Sequence, residues 1–132
     1  MMAKIGLLVG LLTMGITGMI SGLSPAPKAA LPDIMYQLDA EARILRSRIL
    51  NKQDLGSFAD TIPDMRKGIP TDPDEITPDF LKMASVSQQL RQEMYRSKNP
   101  RQVYNRYLQS CIACHEVHCP GPIGRIQALR IR

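Results

Sequence analysis

Residues 99–122 read NPRQVYNRYLQSCIACHEVHCPGP. Asn99 is an N-cap residue and Pro100 suits the first helical position, with Gln102 completing a box-like start. Val103, Tyr107, Cys111 and Cys114 then recur at helical spacing on one face, and Cys119-Pro120-Gly121-Pro122 stops the segment. The pattern is that of an amphipathic helix ending in a cluster of three cysteines and two histidines.

Working outward, the same period returns. Thr77 and Pro78 open a second well-capped helix whose face carries Phe80, Met83, Ser87, Leu90 and Met94. From about Asp33 to Leu50, Ile34, Met35, Leu38, Ala42, Leu45 and Ile49 share one face with Leu31 before them, and Asp39–Arg43 is an i,i+4 ion pair. A shorter segment, with Leu55, Phe58, Ile62 and Met65, keeps the period until Pro63, which ends or kinks it. Gly68 to Pro78 reads as a loop, and Ile123 to Arg132 as a basic tail with one or two helical turns. No segment alternates as a strand does. The expected fold is all-α, an antiparallel four-helix bundle over residues 33–132.

Before it, Ile5 to Leu23 carry no charge, Lys4 precedes them, and residues 24–32 hold three prolines. Nineteen helical residues span roughly 28 Å, close to the ~30 Å hydrocarbon core. We read 1–23 as a signal peptide or signal-anchor helix and 24–32 as a proline-rich linker. The folded part then lies across the membrane, in a bacterium in the periplasm. The 44% hydrophobic content is thus partly a membrane address. A chain of 132 residues with no Trp and two Phe excludes a large enzyme with its own substrate domain and an aromatic-rich sandwich.

Cys111-Ile112-Ala113-Cys114-His115 is CxxCH, the attachment sequence of a c-type haem. Two thiols three positions apart on a helix reach both vinyl groups of one porphyrin. The following imidazole then turns towards the iron. Cys111 and Cys114 are therefore the candidate haem tethers, His115 the proximal iron ligand and Met35 the candidate distal ligand, with Met83 the second choice. His118 lies a turn beyond His115 on the same side of the ring, so it is a surface or propionate-contacting residue. Arg43 or Arg125 would pair with propionates.

Other readings of the cysteines exist. A redox CxxC is usually met with a βαβ pattern, which is missing here. A zinc site would have to use Cys111, Cys114, His115, His118 and Cys119, five donors within nine residues of one helix. A disulfide leaves one thiol over, as haem attachment does, but leaves His115 without a role.

The position of CIACH on the last of the helices resembles the cytochrome c-prime family and its low-spin four-helix-bundle relatives, over roughly Leu31 to Gly121. The resemblance implies a bundle around one covalent haem. It also implies a first-helix residue facing the iron, where Met35 stands: a methionine in low-spin members, an apolar non-ligand in gas-binding ones. His118 and Cys119 stand where that family carries an aromatic and a basic residue.

The expected function is electron transport by a monohaem cytochrome, not catalysis. The alternatives are a gas-binding (NO or CO) or sensing haem protein, or a zinc- or disulfide-stapled helical interaction module. The +5 charge fits steering towards an acidic redox partner or anionic lipid. No nucleic-acid motif is present, and export removes that partner.

Overall fold

The computed structural model describes residues 28–132. The signal or anchor segment 1–23 and residues 24–27 of the proline-rich linker lie outside the described residues. Three long helices, α1 (Leu31–Leu50), α2 (Pro78–Arg96) and α3 (Pro100–His118), are followed by the short α4 (Ile123–Ala128). The described residues contain no strand, and none of their helices is long and apolar enough to cross a membrane.

The caps on α2 and α3 are those the sequence announces. The Phe80 amide donates to Thr77 Oγ1 (3.1 Å) and the Gln102 amide to Asn99 Oδ1 (3.3 Å). Only Ser97 to Asn99 separate the two helices, so they form an antiparallel hairpin and pack along much of their length. α1 begins at Leu31, two residues earlier than expected and with no side-chain cap. Its first amide is satisfied from a distance: Leu31 N donates to the Ile69 carbonyl (2.7 Å), while Ile69 N donates to Ala29 O (2.9 Å). This isolated parallel bridge replaces the missing cap.

Gly68 lets the loop come that close. A Cβ at this position would lie 2.9 Å from Ile34 Cδ1 and 3.2 Å from Leu31 Cα. Gly68→Ala is expected to lower stability by about 1–3 kcal/mol through forced overpacking. Chemical denaturation would check it, and an unchanged midpoint would show that the loop can yield.

The expected second bundle helix is absent. Residues 51–77 form an extended excursion with two single-turn 3-10 segments, Met65–Lys67 and Pro73–Glu75. Three local features forbid a helix from Leu55 to Met65. Gly56 takes a left-handed φ of +77°, the Asp54 carboxylate accepts the Gly56 amide in an Asx turn, and Pro63 lacks an amide proton. The apolar residues at helical spacing are instead separate anchors. Leu55 enters one core cluster, Met65 and Ile62 enter another, and Phe58 packs on Arg91 and Tyr95.

The core has two parts. One cluster joins Ala42, Leu45, Leu90, Met94, Val103, Tyr104, Tyr107, Leu108, Leu129 and Ile131 near the α2–α3 turn. The other joins Leu31, Ile34, Leu38, Met65, Phe80 and Ala84 near the start of α1. A buried polar network ties α1 to α2 beside them. Arg91, fully buried, donates from Nε to Glu41 Oε2 (2.5 Å) and from Nη2 to Glu41 Oε1 (2.9 Å) and the Ala59 carbonyl (3.0 Å). The Tyr95 hydroxyl donates to Glu41 Oε1 (2.7 Å). Arg91 is thus a core residue, and it takes a place on the α2 face that a purely apolar pattern does not assign.

The tail is held as firmly. Asn105 grips Ile131 twice, donating from Nδ2 to its carbonyl (2.7 Å) and accepting its amide at Oδ1 (3.0 Å). Arg46 Nε and the Tyr104 hydroxyl both donate to the Leu129 carbonyl.

Candidate haem-attachment site

A cavity of about 350 Å³ lies between the two core clusters. One side belongs to α1, through Met35, Tyr36, Leu38, Asp39 and Ala42. The other belongs to α3, through Tyr107, Leu108, Cys111, Cys114, His115 and His118. Met65 and Phe80 add apolar wall, and Arg125, Ile126 and Leu129 of α4 and the tail close one flank. α1 and α3 share the cluster of Ala42, Leu45, Tyr104, Tyr107 and Leu108, and beside it the cavity lies between them.

All four site residues expected from the sequence, Cys111, Cys114, His115 and Met35, therefore border one cavity. Met83 does not. α2 turns Phe80, Ala84, Ser87 and Arg91 inward, which leaves Met83 at the edge of the buried face. Met65, expected on a bundle helix, comes instead from the 3-10 turn and offers a buried thioether, where that of Met35 is half-buried. No sequence spacing links it to the motif, because a loop carries it there.

Cys111 is half-buried, Cys114 buried and Cys119 exposed, and all three are free thiols. Burial pushes Cys111 up to about 12, against the hydroxyls of Tyr107, Ser110 and Ser87, which act in the other direction. Burial also raises Cys114, with the Asp79 carboxylate adding to the effect. A redox CxxC needs an attacking thiol pulled down towards neutrality by a nearby positive charge or helix N-terminus. Both thiols here are held protonated, near the C-terminal end of α3. Among the described residues no three His, Cys, Asp or Glu side chains converge as a metal-holding group, so the zinc arrangement lacks its donor geometry.

The His115 ring is oriented. Nδ1 lies 2.7 Å from the Cys119 carbonyl, and a carbonyl can only accept, so the proton is on Nδ1 and the Nε2 lone pair is free. This is the arrangement that presents a neutral imidazole to a metal. Cys119 contributes to it through its backbone. His118 packs edge-on against Phe80, with centroids 5.6 Å apart, and its Nε2 is buried without a hydrogen-bond partner. Asp79 is 3.7 Å from that nitrogen, beyond hydrogen-bond range.

At the rim, Asp39 sits between two arginines. Arg43 Nε donates to it at 2.9 Å and Arg125 Nη2 stands 3.7 Å away. Arg125, not Arg43, borders the cavity itself. Of the two arginines considered for acidic cofactor groups, Arg125 is the one in place.

These residues fit a covalently held haem: two reduced thiols and a free imidazole nitrogen on one wall, thioethers opposite or beside them, apolar surface between and an arginine at the mouth. Comparison with protein-family models, with curated proteins and with solved structures finds no match for this chain.

Proposed function

We propose that this protein is a monohaem c-type cytochrome that carries electrons. The observation that supports it best is the cavity that parts the core in two and is bordered by Cys111, Cys114 and His115 together. A packed helical domain leaves few voids larger than a water molecule unless something fills them. Here the void lies against the attachment motif.

When bound, the haem iron supplies a one-electron couple. The chain's own residues do the rest. Cys111 and Cys114 tether the ring to α3. The His115 Nδ1 proton, held on the Cys119 carbonyl, leaves Nε2 as the nitrogen that would hold the iron. Met35 borders the same cavity, and its thioether would complete a His/Met pair, which raises the potential relative to other ligand sets. Leu31, Leu38, Phe80 and Leu129 exclude water, which limits the reorganisation that accompanies a change of charge. Arg125 faces the acidic edge of the ring.

The apolar run Ile5–Leu23 supports export to the periplasm and a tether to the inner membrane. The residues from Val117 to Arg132 carry three arginines and no acid, so the α4 flank of the cavity favours an acidic redox partner.

Haem-specific staining after denaturing electrophoresis tests the reading directly. Only thioether-bound haem survives denaturation, and an unstained band from cells competent in haem attachment would overturn it. The optical spectrum then tests the axial set. The ferric protein is expected to show the long-wavelength thioether-to-iron band and to lose it in Met35→Ala. If the band survives there and is lost in Met65→Ala instead, Met65 holds the position. A high-spin ferric spectrum in the unaltered protein would favour gas binding at an open site.

A further inference from the structure

The two thiols of the motif are not equivalent. Cys111 packs against the core cluster that holds Tyr107, and Cys114 does not. The Ser110 Oγ donates to the Tyr107 carbonyl (2.7 Å), which uses its proton. Ser87 Oγ of α2 lies 2.9 Å from Ser110 Oγ, so the Ser87 proton is the one shared between them. The Tyr107 hydroxyl is thereby left as the donor without a claim on it. Tyr107 stands four residues before Cys111 on α3, so both side chains share one helix face, and both border the cavity. Its ring is 2% exposed and so cannot swing out to water.

The geometry points to Tyr107 as a positioning residue that holds the Cys111 sulfur, through a hydrogen bond from its phenol, in the rotamer needed for thioether formation. This rests on the haem reading above and adds to it an asymmetry between the two tethers. A cysteine has three staggered χ1 wells. A donor one turn away selects among them, and sulfur accepts such a bond weakly but directionally. The step it serves is an addition: the Cys111 S–H adds across a vinyl double bond, sulfur bonding to the carbon next to the ring and the proton ending on the terminal carbon. Atoms and electrons balance with no oxidant or reductant. Cys114, outside that core cluster, attaches unaided.

The test uses Tyr107→Phe, which removes one oxygen and keeps the packed ring. Intact-mass analysis and the reduced pyridine–haem spectrum distinguish one thioether from two, since a remaining vinyl group moves the band to longer wavelength. The singly attached fraction is expected to rise on the order of three- to tenfold, the worth of one modest hydrogen bond, with the free thiol mapped to Cys111. Two further backgrounds separate positioning from simple loss of folding. Tyr107→Phe should reduce attachment in Cys114→Ala, where Cys111 alone must react, and leave it unchanged in Cys111→Ala. Equal reduction in both backgrounds, or full double attachment in Tyr107→Phe, overturns the inference alone. Absence of covalent haem from the unaltered protein overturns the reading beneath it as well.

Discussion

A chain in which Cys111 and Cys114 are both replaced by alanine is expected to carry no covalent haem and to lose most of its cooperative fold. The cavity explains the size of the effect. Without a group in the cavity, the apolar faces of Leu31, Leu38, Phe80 and Leu129 lose their packing partner and meet water. A whole domain of this size is stable by only about 5–15 kcal/mol. The filled cavity therefore decides whether the helices hold together. Thermal unfolding followed by circular dichroism is expected to show a shallow transition and reduced helix content. A variant with full helix content and an unchanged, sharp midpoint would sink the idea that the cofactor completes the core.

Glu41→Gln is expected to be the most damaging exchange away from the cavity. Arg91 has no exposed surface, and among the described residues Glu41 is its only countercharge within hydrogen-bond reach. Removing one partner of a buried pair leaves the other charge uncompensated and costs about 3–5 kcal/mol. Arg91 already has one nitrogen, Nη1, buried without a partner, so there is no spare acceptor to take up the loss. The same exchange weakens the bond from Tyr95, whose phenol is raised well above its usual value by burial and by this carboxylate. Replacing both members by apolar residues, as in Glu41→Leu with Arg91→Met, should recover much of the loss. Denaturant titration of the single and double variants checks this. A Glu41→Gln midpoint within error of the parent would show that water reaches the site.

Much of the architecture was legible from short local cues. Thr77-Pro78 and Asn99-Pro100 set their helix starts because a cap acts on amides two or three residues away. CxxCH is equally local, so Cys111, Cys114 and His115 could be named from five letters. What was not legible depends on distant segments. Leu55, Phe58, Ile62 and Met65 have helical spacing yet anchor an extended loop, because spacing alone does not distinguish one apolar face from several separate contacts. The start of α1 at Leu31 rests on a bridge to Ile69, and no cap residue announces it. Arg91 reads as a surface cation until Glu41, fifty residues earlier, is placed against it. Met65 and the proton arrangement around Tyr107 belong to the same class, since each needs two elements to be in register first.

The bridge between Ala30 and Ile69, with the Arg91 pair, also sets how the domain can open. α2 and α3 are joined by three residues and hold each other directly. α1 is held to them by its core residues Ile34, Leu38, Ala42 and Leu45 and by discrete polar ties: the bridge, the Glu41 carboxylate, the Arg46 bond to the Leu129 carbonyl and the Tyr104 bond to the Ala42 carbonyl. The α2–α3 hairpin bearing the motif is therefore the part of the fold whose pairing does not pass through α1, so local opening is expected to release α1 before the hairpin.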